Sequence, residues 1–228
     1  MSLTIKNCPR IVLGQQLCKR GYVKFKLKNY KGAIKDCSEA LKLEDPEPFL
    51  LTPYKPTTCK LFLIRASSKF KLKNYKGAIE DFSKVIELDA DDHTSLTLRG
   101  DAKLKIKDYK GAILDLNKGI ELIDSKYKNK KYVYESNIYD ALNKPEYELA
   151  YFNKGESKFK LKDFQSAIED FSKVIELNPK NANVYISRGE AKLSSKKNIS
   201  SAIKDFAIGA ELDPKYADEF LSKSQLFF

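Results

Sequence analysis

The sequence lacks the signatures of a catalytic site. It contains one histidine, His93, and it has neither a glycine-rich phosphate loop nor a Gly-x-Ser-x-Gly nucleophile motif. Two adjacent acidic pairs, Glu80–Asp81 and Glu169–Asp170, lie on predicted helices, where neighbouring residues point in different directions. We expect these carboxylates to be solvated charges. The sequence therefore predicts a non-enzymatic protein that needs no cofactor and no metal.

Long apolar runs are also absent. The chain has no stretch of 18 apolar residues, whereas a helix that spans a bilayer needs about 20. Near the N-terminus, the apolar segment from Ile11 to Leu13 is too short for the core of a signal peptide. These absences predict a cytoplasmic protein without a membrane partner.

Cysteine is scarce, and its spacing does not suit a metal. Cys8, Cys18, Cys37 and Cys59 form no Cys-x-x-Cys pair, whereas zinc sites use closely spaced ligand pairs. Two disulfides among the four residues are an alternative. We expect reduced thiols, because Cys37 occupies a predicted core position and buried free cysteine is common.

Arginine is rare although the chain is basic. Lysine and arginine together number 42 against 31 acidic residues, which gives a formal net charge of +11, yet only five of the basic residues are arginine. Nucleic-acid readers often concentrate arginine, whose planar fork matches phosphate and guanine. The lysines instead recur in the predicted last turns of helices, where a cation interacts favourably with the helix dipole. They are Lys26, Lys71, Lys105 and Lys160, and two residues further on Lys28, Lys73, Lys107 and Lys162. A phosphate-binding track is the alternative interpretation.

What the sequence does contain is an internal repeat. The motif Asn-Tyr-Lys-Gly-Ala-Ile at residues 29–34 returns at 74–79, returns with aspartate first at 108–113, and has an altered form at 163–168. A small residue about twelve positions before the alanine recurs with it. The small residues are Gly21, Ala66, Gly100, Gly155 and Gly189. Two of their intervals are 34 residues, and such a period indicates a repeat architecture.

Each repeat is predicted to form two helices. In the fourth repeat, Tyr151, Gly155 and Phe159 lie four residues apart on one face of a first helix, and Ala167 and Phe171 lie on one face of a second. Close packing of two helices requires small residues where the backbones approach, so we expect Gly155 to lie opposite Ala167.

This pattern resembles the tetratricopeptide repeat family over residues 14–216, inserts excepted. The family's alanine corresponds to Ala33, Ala78, Ala112, Ala167 and Ala202. Its following aromatic corresponds to Phe82, Phe171 and Phe206, with Cys37 and Leu116 in the other two repeats, and its terminal proline to Pro179 and Pro214. The chain departs from the family where an aromatic often follows the small residue by three. Those positions are Lys24, Lys69, Lys103, Lys158 and Lys192. The resemblance implies an all-α fold, a right-handed superhelical solenoid of antiparallel helix pairs.

One subtype of the family does not match. The repeats that clamp the acidic C-terminal tails of heat-shock chaperones use lysine, asparagine and arginine at positions held here by Cys18, Tyr22, Ile64, Thr94 and Leu98. The resemblance therefore does not imply a carboxylate clamp.

The repeats and inserts divide the chain. We expect five repeats at 14–47, 59–92, 93–126, 148–181 and 182–216, a leader at 1–13, and inserts at 48–58 and 127–147. The first insert is proline-rich and is predicted to be an extended surface loop. In the second, we expect a short helix around 137–142, after which Pro145 opens the next helix. Residues 214–228 are predicted to form a C-terminal capping helix, of which 217–228 are the end and the tail; Leu226, Phe227 and Phe228 are available for weak self-association.

In the family, the first helices line a concave groove that holds peptides or partner helices, and the resemblance implies the same here. The corresponding positions are Cys18, Tyr22, Phe25 and Lys26; Leu63, Ser67, Phe70 and Lys71; Thr97, Asp101, Leu104 and Lys105; Phe152, Glu156, Phe159 and Lys160; and Ile186, Glu190 and Leu193. This apolar strip edged with lysine suits a protein segment with apolar anchors and acidic flanks. Alternatively, Phe25, Phe70 and Phe159 complete the interhelical core, and Leu63, Phe152 and Ile186 are the stronger groove residues.

An RNA or single-stranded nucleic-acid binding module is the alternative function. From Lys128, the second insert interleaves lysines with Tyr132, Tyr134 and Tyr139, and aromatic side chains beside cations can stack on bases. The competing interpretation places these aromatics against the neighbouring repeats.

Overall fold

The computed structural model describes residues 9–43, 55–128, 136–196 and 199–217. Within these residues it contains ten α-helices and one 3₁₀ turn, which confirms the predicted all-α class. The elements are α1 Pro9–Lys26, α2 Tyr30–Leu43, α3 Lys55–Lys71, α4 Tyr75–Leu88, α5 His93–Lys105, α6 Tyr109–Lys128, α7 Ser136–Lys160, α8 Phe164–Leu177, α9 Ala182–Ser194, α10 Ile199–Leu212 and the turn Pro214–Tyr216. In the described part of the chain, no helix has both the length and the apolar character needed to cross a bilayer.

The chain divides into two compact units. The N-terminal unit, Met1–Ile106, contains α1 to α5, and the C-terminal unit, Lys107–Phe228, contains α6 to α10. Inside each unit, every helix packs against the next one along the chain, and α1 also contacts α3. The boundary falls in the turn between the two helices of the third predicted repeat.

The turn from a first to a second helix explains the repeated Lys-Asn-Tyr-Lys-Gly motif. Lys28 takes the left-handed conformation, with φ of 61°. Its N–H donates to the Phe25 carbonyl at 2.9 Å, and the Asn29 N–H donates to the Lys24 carbonyl at 2.8 Å. This pair of bonds is the Schellman motif that ends a helix. The Asn29 side chain then accepts from the Gly32 N–H at 3.0 Å and caps the second helix.

The same left-handed lysine recurs in every such turn, at Lys73, Lys107, Lys162 and Lys196. The prediction that Lys28 and its equivalents lie in the last turn of the first helix is therefore wrong. Lys26 is in the last turn of α1, but Lys28 follows the helix end. Glycine adopts the left-handed conformation without cost, whereas the β-carbon of lysine makes it strained.

In three hairpins the core is an aromatic ring over a small residue. Phe82, Phe171 and Phe206 are fully buried. A β-carbon built on Gly155 would lie 2.8 Å from Cε1 of Phe171, so the ring fills the space that a side chain at Gly155 would need. In the first hairpin Cys37 takes the aromatic position and is fully buried. Cys18, Cys37 and Cys59 are reduced thiols, as predicted, and Cys8 lies outside the described residues.

Several boundaries differ from the expectation. α1 begins at Pro9 and so includes the last part of the predicted leader, and α3 begins at Lys55, inside the predicted loop 48–58. A single helix, α7, runs from Ser136 to Lys160, so Pro145 lies within it and does not open a new helix. Proline removes one backbone donor, but the helix continues on both sides of it.

The predicted capping helix is described only at its start. Asp213 caps the 3₁₀ turn by accepting from the Lys215 N–H, and Tyr216 packs beside the buried cluster of Ile186, Ala202 and Phe206. The Tyr216 hydroxyl also hydrogen-bonds to Oδ1 of Asn183 at 3.1 Å. Residues 218–228, including the proposed self-association tail, lie outside the described residues.

Lys28→Gly is expected to raise the free energy of unfolding by roughly 0.5–1 kcal/mol. The substitution removes left-handed strain of about 1–2 kcal/mol, but the greater flexibility of glycine in the unfolded chain offsets part of this gain. Lys35→Gly, on the exposed middle of α2, is the control and should lower the same quantity by about 1 kcal/mol. Urea denaturation followed by circular dichroism measures both. Two losses of equal size would contradict the strain argument.

The Cys37 thiol is expected to resist modification until the protein unfolds. Burial raises its pKa from 9.0 to about 12, so little thiolate forms at neutral pH. Labelling with a maleimide, mapped by mass spectrometry, should modify partly exposed Cys59 first. Because only the folded state has the raised pKa, the free energy of unfolding should fall as pH rises above 9.0, and less so in Cys37→Ala. Equal labelling rates for Cys37 and Cys59 would contradict the prediction.

Candidate functional site

A buried carboxylate lies between the two helices of each hairpin. Asp36, Asp81, Asp170 and Asp205 belong to α2, α4, α8 and α10, and all four are buried. A buried carboxylate is costly unless cations and hydrogen bonds compensate it. The first helix of each hairpin provides that compensation from two positions.

The second hairpin shows the geometry. Arg65 on α3 makes a bidentate contact with Asp81, with Nε 2.9 Å from Oδ2 and Nη2 2.7 Å from Oδ1. Lys69, one turn later, places Nζ 2.8 Å from Oδ2. Arg65 also donates from Nη1 to the Ser38 hydroxyl on α2 at 3.2 Å. One guanidinium therefore links three successive helices.

The other hairpins repeat this cluster. Arg20 and Lys24 hold Asp36, and Arg188 and Lys192 hold Asp205, each with contacts of 2.7–2.9 Å. In the fourth, two lysines replace the arginine and lysine: Lys154 and Lys158 lie 3.0 and 2.7 Å from Asp170. The pKa of Asp36 lies below its ordinary value, because the hydrogen bonds from Arg20 outweigh the effect of burial.

The expectation that Asp81 and Asp170 are solvated is therefore wrong; only their neighbours Glu80 and Glu169 are exposed. The signal was present in the sequence. Four of the five arginines stand one residue before the repeated small residue, the lysine treated as a departure stands three after it, and an aspartate stands three after every repeated alanine. Read together, these three rows predict an ion cluster.

The cluster determines which face of each first helix is exposed. At 100° per residue, the positions one before and three after the small residue lie on the side that faces the second helix. The positions one and five after it then point roughly 140–180° away from that side. We call these the outer positions; they are Tyr22, Lys26, Ser67, Lys71, Asp101, Lys105, Glu156, Lys160, Glu190 and Ser194.

The structure separates the predicted groove residues into two groups. The outer ones are accessible: Tyr22 is 50% exposed, and Lys26, Lys71, Lys105 and Lys160 are all exposed. The Lys26 ammonium lies over the Tyr22 ring, 5.4 Å from its centroid.

The inner group packs into the hairpins. Phe25, Phe70 and Phe159 are half-buried and contact the aromatic residue that opens the second helix, at centroid distances of 5.8, 5.3 and 5.6 Å. This is the placement that the interhelical alternative describes. Leu63, Leu104 and Cys18 are also half-buried, and Thr97 is buried.

Ile186 and Phe152, two of the stronger predicted groove residues, are too buried to be readily accessible to a partner. Ile186 is 5% exposed and packs with Ala202 and Phe206; its Cδ1 lies 2.6 Å from where a β-carbon on Gly209 would stand. Phe152 is half-buried and contacts Phe171, with centroids 5.8 Å apart. Substituting either residue would disturb the core together with any surface.

Asp101 is the acidic exception on the outer positions of the N-terminal unit. Burial raises the pKa of its carboxyl, although Lys105 and Lys71 on either side favour the charged form. The Lys105 Nζ lies 3.8 Å from Oδ1. Lys71 on α3 is close enough for its charge to affect the pKa of Asp101 on α5, so the outer positions of these two helices face the same side.

Other candidate sites find no support. Of the insert 127–147 proposed for the nucleic-acid alternative, residues 129–135 lie outside the described residues and 136–147 belong to α7. Among the described residues, no group of three or more histidine, cysteine or acidic side chains is arranged to hold a metal.

Comparisons with known proteins agree with this architecture. Residues 60–92 and 149–181 match the tetratricopeptide repeat family, each within one residue of a predicted repeat. No curated protein matches the sequence.

Solved structures share the fold at low sequence identity. A structure of MamA from Desulfovibrio magneticus RS-1 has a TM-score of 0.68 and 17% identity, over 91% of this chain and 97% of that one. YrrB, described as a tetratricopeptide protein with an unusual peptide-binding site, has a TM-score of 0.67 and 16% identity, over 91% and 90%. The APC/C hetero-tetramer Cut9–Hcn1 gives 0.66 and 21%, over 92% of this chain and 36% of that chain.

The fold and the repeated clusters define a protein built from antiparallel helical hairpins. Residues 60–92 and 149–181 are tetratricopeptide repeats, and the chain has the fold of a tetratricopeptide solenoid.

Arg65→Met is expected to lower the free energy of unfolding by about 3 kcal/mol, because the buried Asp81 loses its bidentate partner while the packing of the side-chain stem is kept. Lys84→Met is the control. It breaks the exposed pair with Glu87, 2.7 Å apart, and should cost at most about 1 kcal/mol. Urea denaturation of the two variants tests this, and similar small losses would contradict the proposed weight of the cluster.

Proposed function

We propose that this protein is a non-enzymatic scaffold that binds a segment of a partner protein on the outer positions of α1, α3 and α5. The observation that carries the proposal is the row of exposed side chains that the ion clusters leave facing outward in the N-terminal unit. The exposed residues of this row are Tyr22, Lys26, Lys71 and Lys105; Ser67 and Asp101, at the same outer positions, are half-buried.

The chemistry of the row favours an acidic segment with an apolar anchor. Three exposed lysines at equivalent positions give a repeating positive charge, and electrostatic complementarity favours acidic partners. Tyr22 offers a large, half-exposed ring, and tyrosine is enriched among residues that dominate binding energy. Asp101 adds a local negative charge, which favours a basic or neutral group at that point of the bound segment.

The similar proteins support this kind of partner. YrrB has a peptide-binding site, and Cut9 assembles with Hcn1. In the C-terminal unit, the outer positions carry Glu156, Lys160 and Glu190, a mixed charge that suits a different part of a partner. We place the acidic-segment site on the N-terminal unit for this reason.

The test is a charge reversal on the outer row: Tyr22→Ala with Lys26→Glu, Lys71→Glu and Lys105→Glu. These side chains are exposed, so the fold should remain intact by circular dichroism. On an array of acidic peptides that carry a leucine or aromatic anchor, the variant should lose binding by about tenfold or more relative to the natural chain.

The matched control reverses three exposed lysines that lie off this row, Lys31→Glu, Lys42→Glu and Lys60→Glu. The control also carries Tyr22→Ala, so the two variants differ only in which three lysines are reversed. The control should retain more binding than the outer-row variant. Equal retention by both variants, or capture of basic peptides in preference to acidic ones, would contradict the proposal.

A further inference from the structure

The turns between first and second helices carry an exposed apolar side chain between two lysines. In the N-terminal unit these apolar residues are Leu27, Leu72 and Ile106, which are 74%, 41% and 38% exposed. Lysines flank each of them, as in Lys26-Leu27-Lys28. The exposed part of a large aliphatic side chain at the tip of a turn is unfavourable in water.

The three tips lie on one edge of the N-terminal unit. Turns of three residues join α1 to α2 and α3 to α4, and four residues join α4 to α5, so the helices of each joined pair run in opposite directions. The contact of Arg65 with Ser38 repeats that of Arg99 with Ser83, so α3 packs on α2 as α5 packs on α4. The C-terminal ends of α1, α3 and α5 therefore share an edge, which we call the tip edge.

The tip edge is basic. Besides the lysines next to the apolar residues, Lys31 and Lys76 stand on the first turns of α2 and α4 at the same edge. Lys28, Lys31, Lys73 and Lys76 are exposed, and within the described residues none of the four takes part in an ion pair. Their charges are available to an external partner.

The turn from α4 to α5 lies at the opposite edge and is acidic, since it contains Asp89, Asp91 and Asp92. An anionic surface would repel this turn, which favours an approach of the tip edge.

We infer that the tip edge docks on the surface of an anionic lipid bilayer, with Leu27, Leu72 and Ile106 inserted at the level of the headgroups and the lysines on lipid phosphates and carboxylates. Aliphatic side chains flanked by lysine suit a bilayer interface, where the apolar ends enter and the cations stay among the headgroups. Bases would call for aromatic stacking partners, and a single peptide would call for a concavity and not projecting tips.

This inference differs from the sequence-based expectation of no membrane partner. That expectation rested on the absence of a spanning segment, and a peripheral contact requires none. It shares Lys26, Lys71 and Lys105 with the proposed protein-binding row but adds the tips and the lysines beyond the helix ends, so the variants below leave those three lysines in place.

The C-terminal unit provides a natural comparison. In the turn that follows α9, Ser195 occupies the position of Leu27, and Lys196 has the same left-handed conformation as Lys28. The turn therefore tolerates serine at the apolar tip. Leu27→Ser with Leu72→Ser and Ile106→Ser therefore removes the apolar side chains from the three tips.

The experiment is sedimentation of the full chain with large unilamellar vesicles of phosphatidylcholine, with and without about 30 mol% phosphatidylserine, at roughly 0.1 M salt. The natural chain should partition onto the vesicles that contain phosphatidylserine and not onto phosphatidylcholine alone. The triple serine variant should bind about tenfold more weakly, since the apolar contribution is lost. Raising the salt should release the natural chain.

A charge variant tests the second half of the inference. Lys28→Gly, Lys31→Gln, Lys73→Gly and Lys76→Gln remove four charges at the tip edge, and the glycines relieve backbone strain, so the fold is retained. Vesicle binding should fall by about tenfold or more, given about 1 kcal/mol per lysine near an anionic surface. The control removes four exposed lysines elsewhere, Lys35→Gln, Lys42→Gln, Lys60→Gln and Lys118→Gln, for the same change in net charge.

Three results would overturn the inference: no binding to the phosphatidylserine vesicles, equal loss in the control and the tip-edge charge variant, or unchanged vesicle binding by the triple serine variant. Single-stranded RNA and polyglutamate are tried with the same variants. If they bind the natural chain and the triple serine variant equally while vesicles do not bind, the edge serves a polyanion and the lipid assignment is wrong.

Discussion

The structure depends on a buried aspartate that must be neutralised by the helix opposite. In the hairpin of α3 and α4, Asp81 is removed from water and is acceptable only because Arg65 and Lys69 reach it together. A shift of α3 along or around its axis would break the bidentate contact. The ion cluster thus specifies the register of the two helices, while the ring of Phe82 provides most of the apolar burial at the same contact.

The same constraint decides what remains for partners. The side chains that hold the cluster point toward the second helix, and the residues about half a turn away point toward solvent. Tyr22, Lys26 and Lys71 are exposed for this reason, and an aspartate-holding lysine such as Lys69 is not available to a ligand. The turns come directly after the ends of the first helices, so the exposed Leu27, Leu72 and Ile106 form an edge that adjoins the outer row and shares its lysines.

The features that sequence reasoning recovered are those with a fixed spacing. The small residue, the alanine and the following ring recur at equal offsets, and such a period has few structural solutions. Sequence reasoning failed where a residue's surroundings come from another helix. Asp81 was expected in water although α3 supplies its cations, and Ile186 was expected in the groove although α10 covers it. Pro145 was expected to begin a helix that in fact runs through it.

By itself, the sequence determined the helical hairpin, its turn and its capping, because these rest on contacts between residues at most a few positions apart. Asn29, Gly32 and Lys28 show this within five residues of chain. Only the tertiary structure decided which side of each first helix is exposed and which charges are buried. Those outcomes depend on groups sixteen residues apart, such as Arg65 and Asp81, that meet only when the two helices pack.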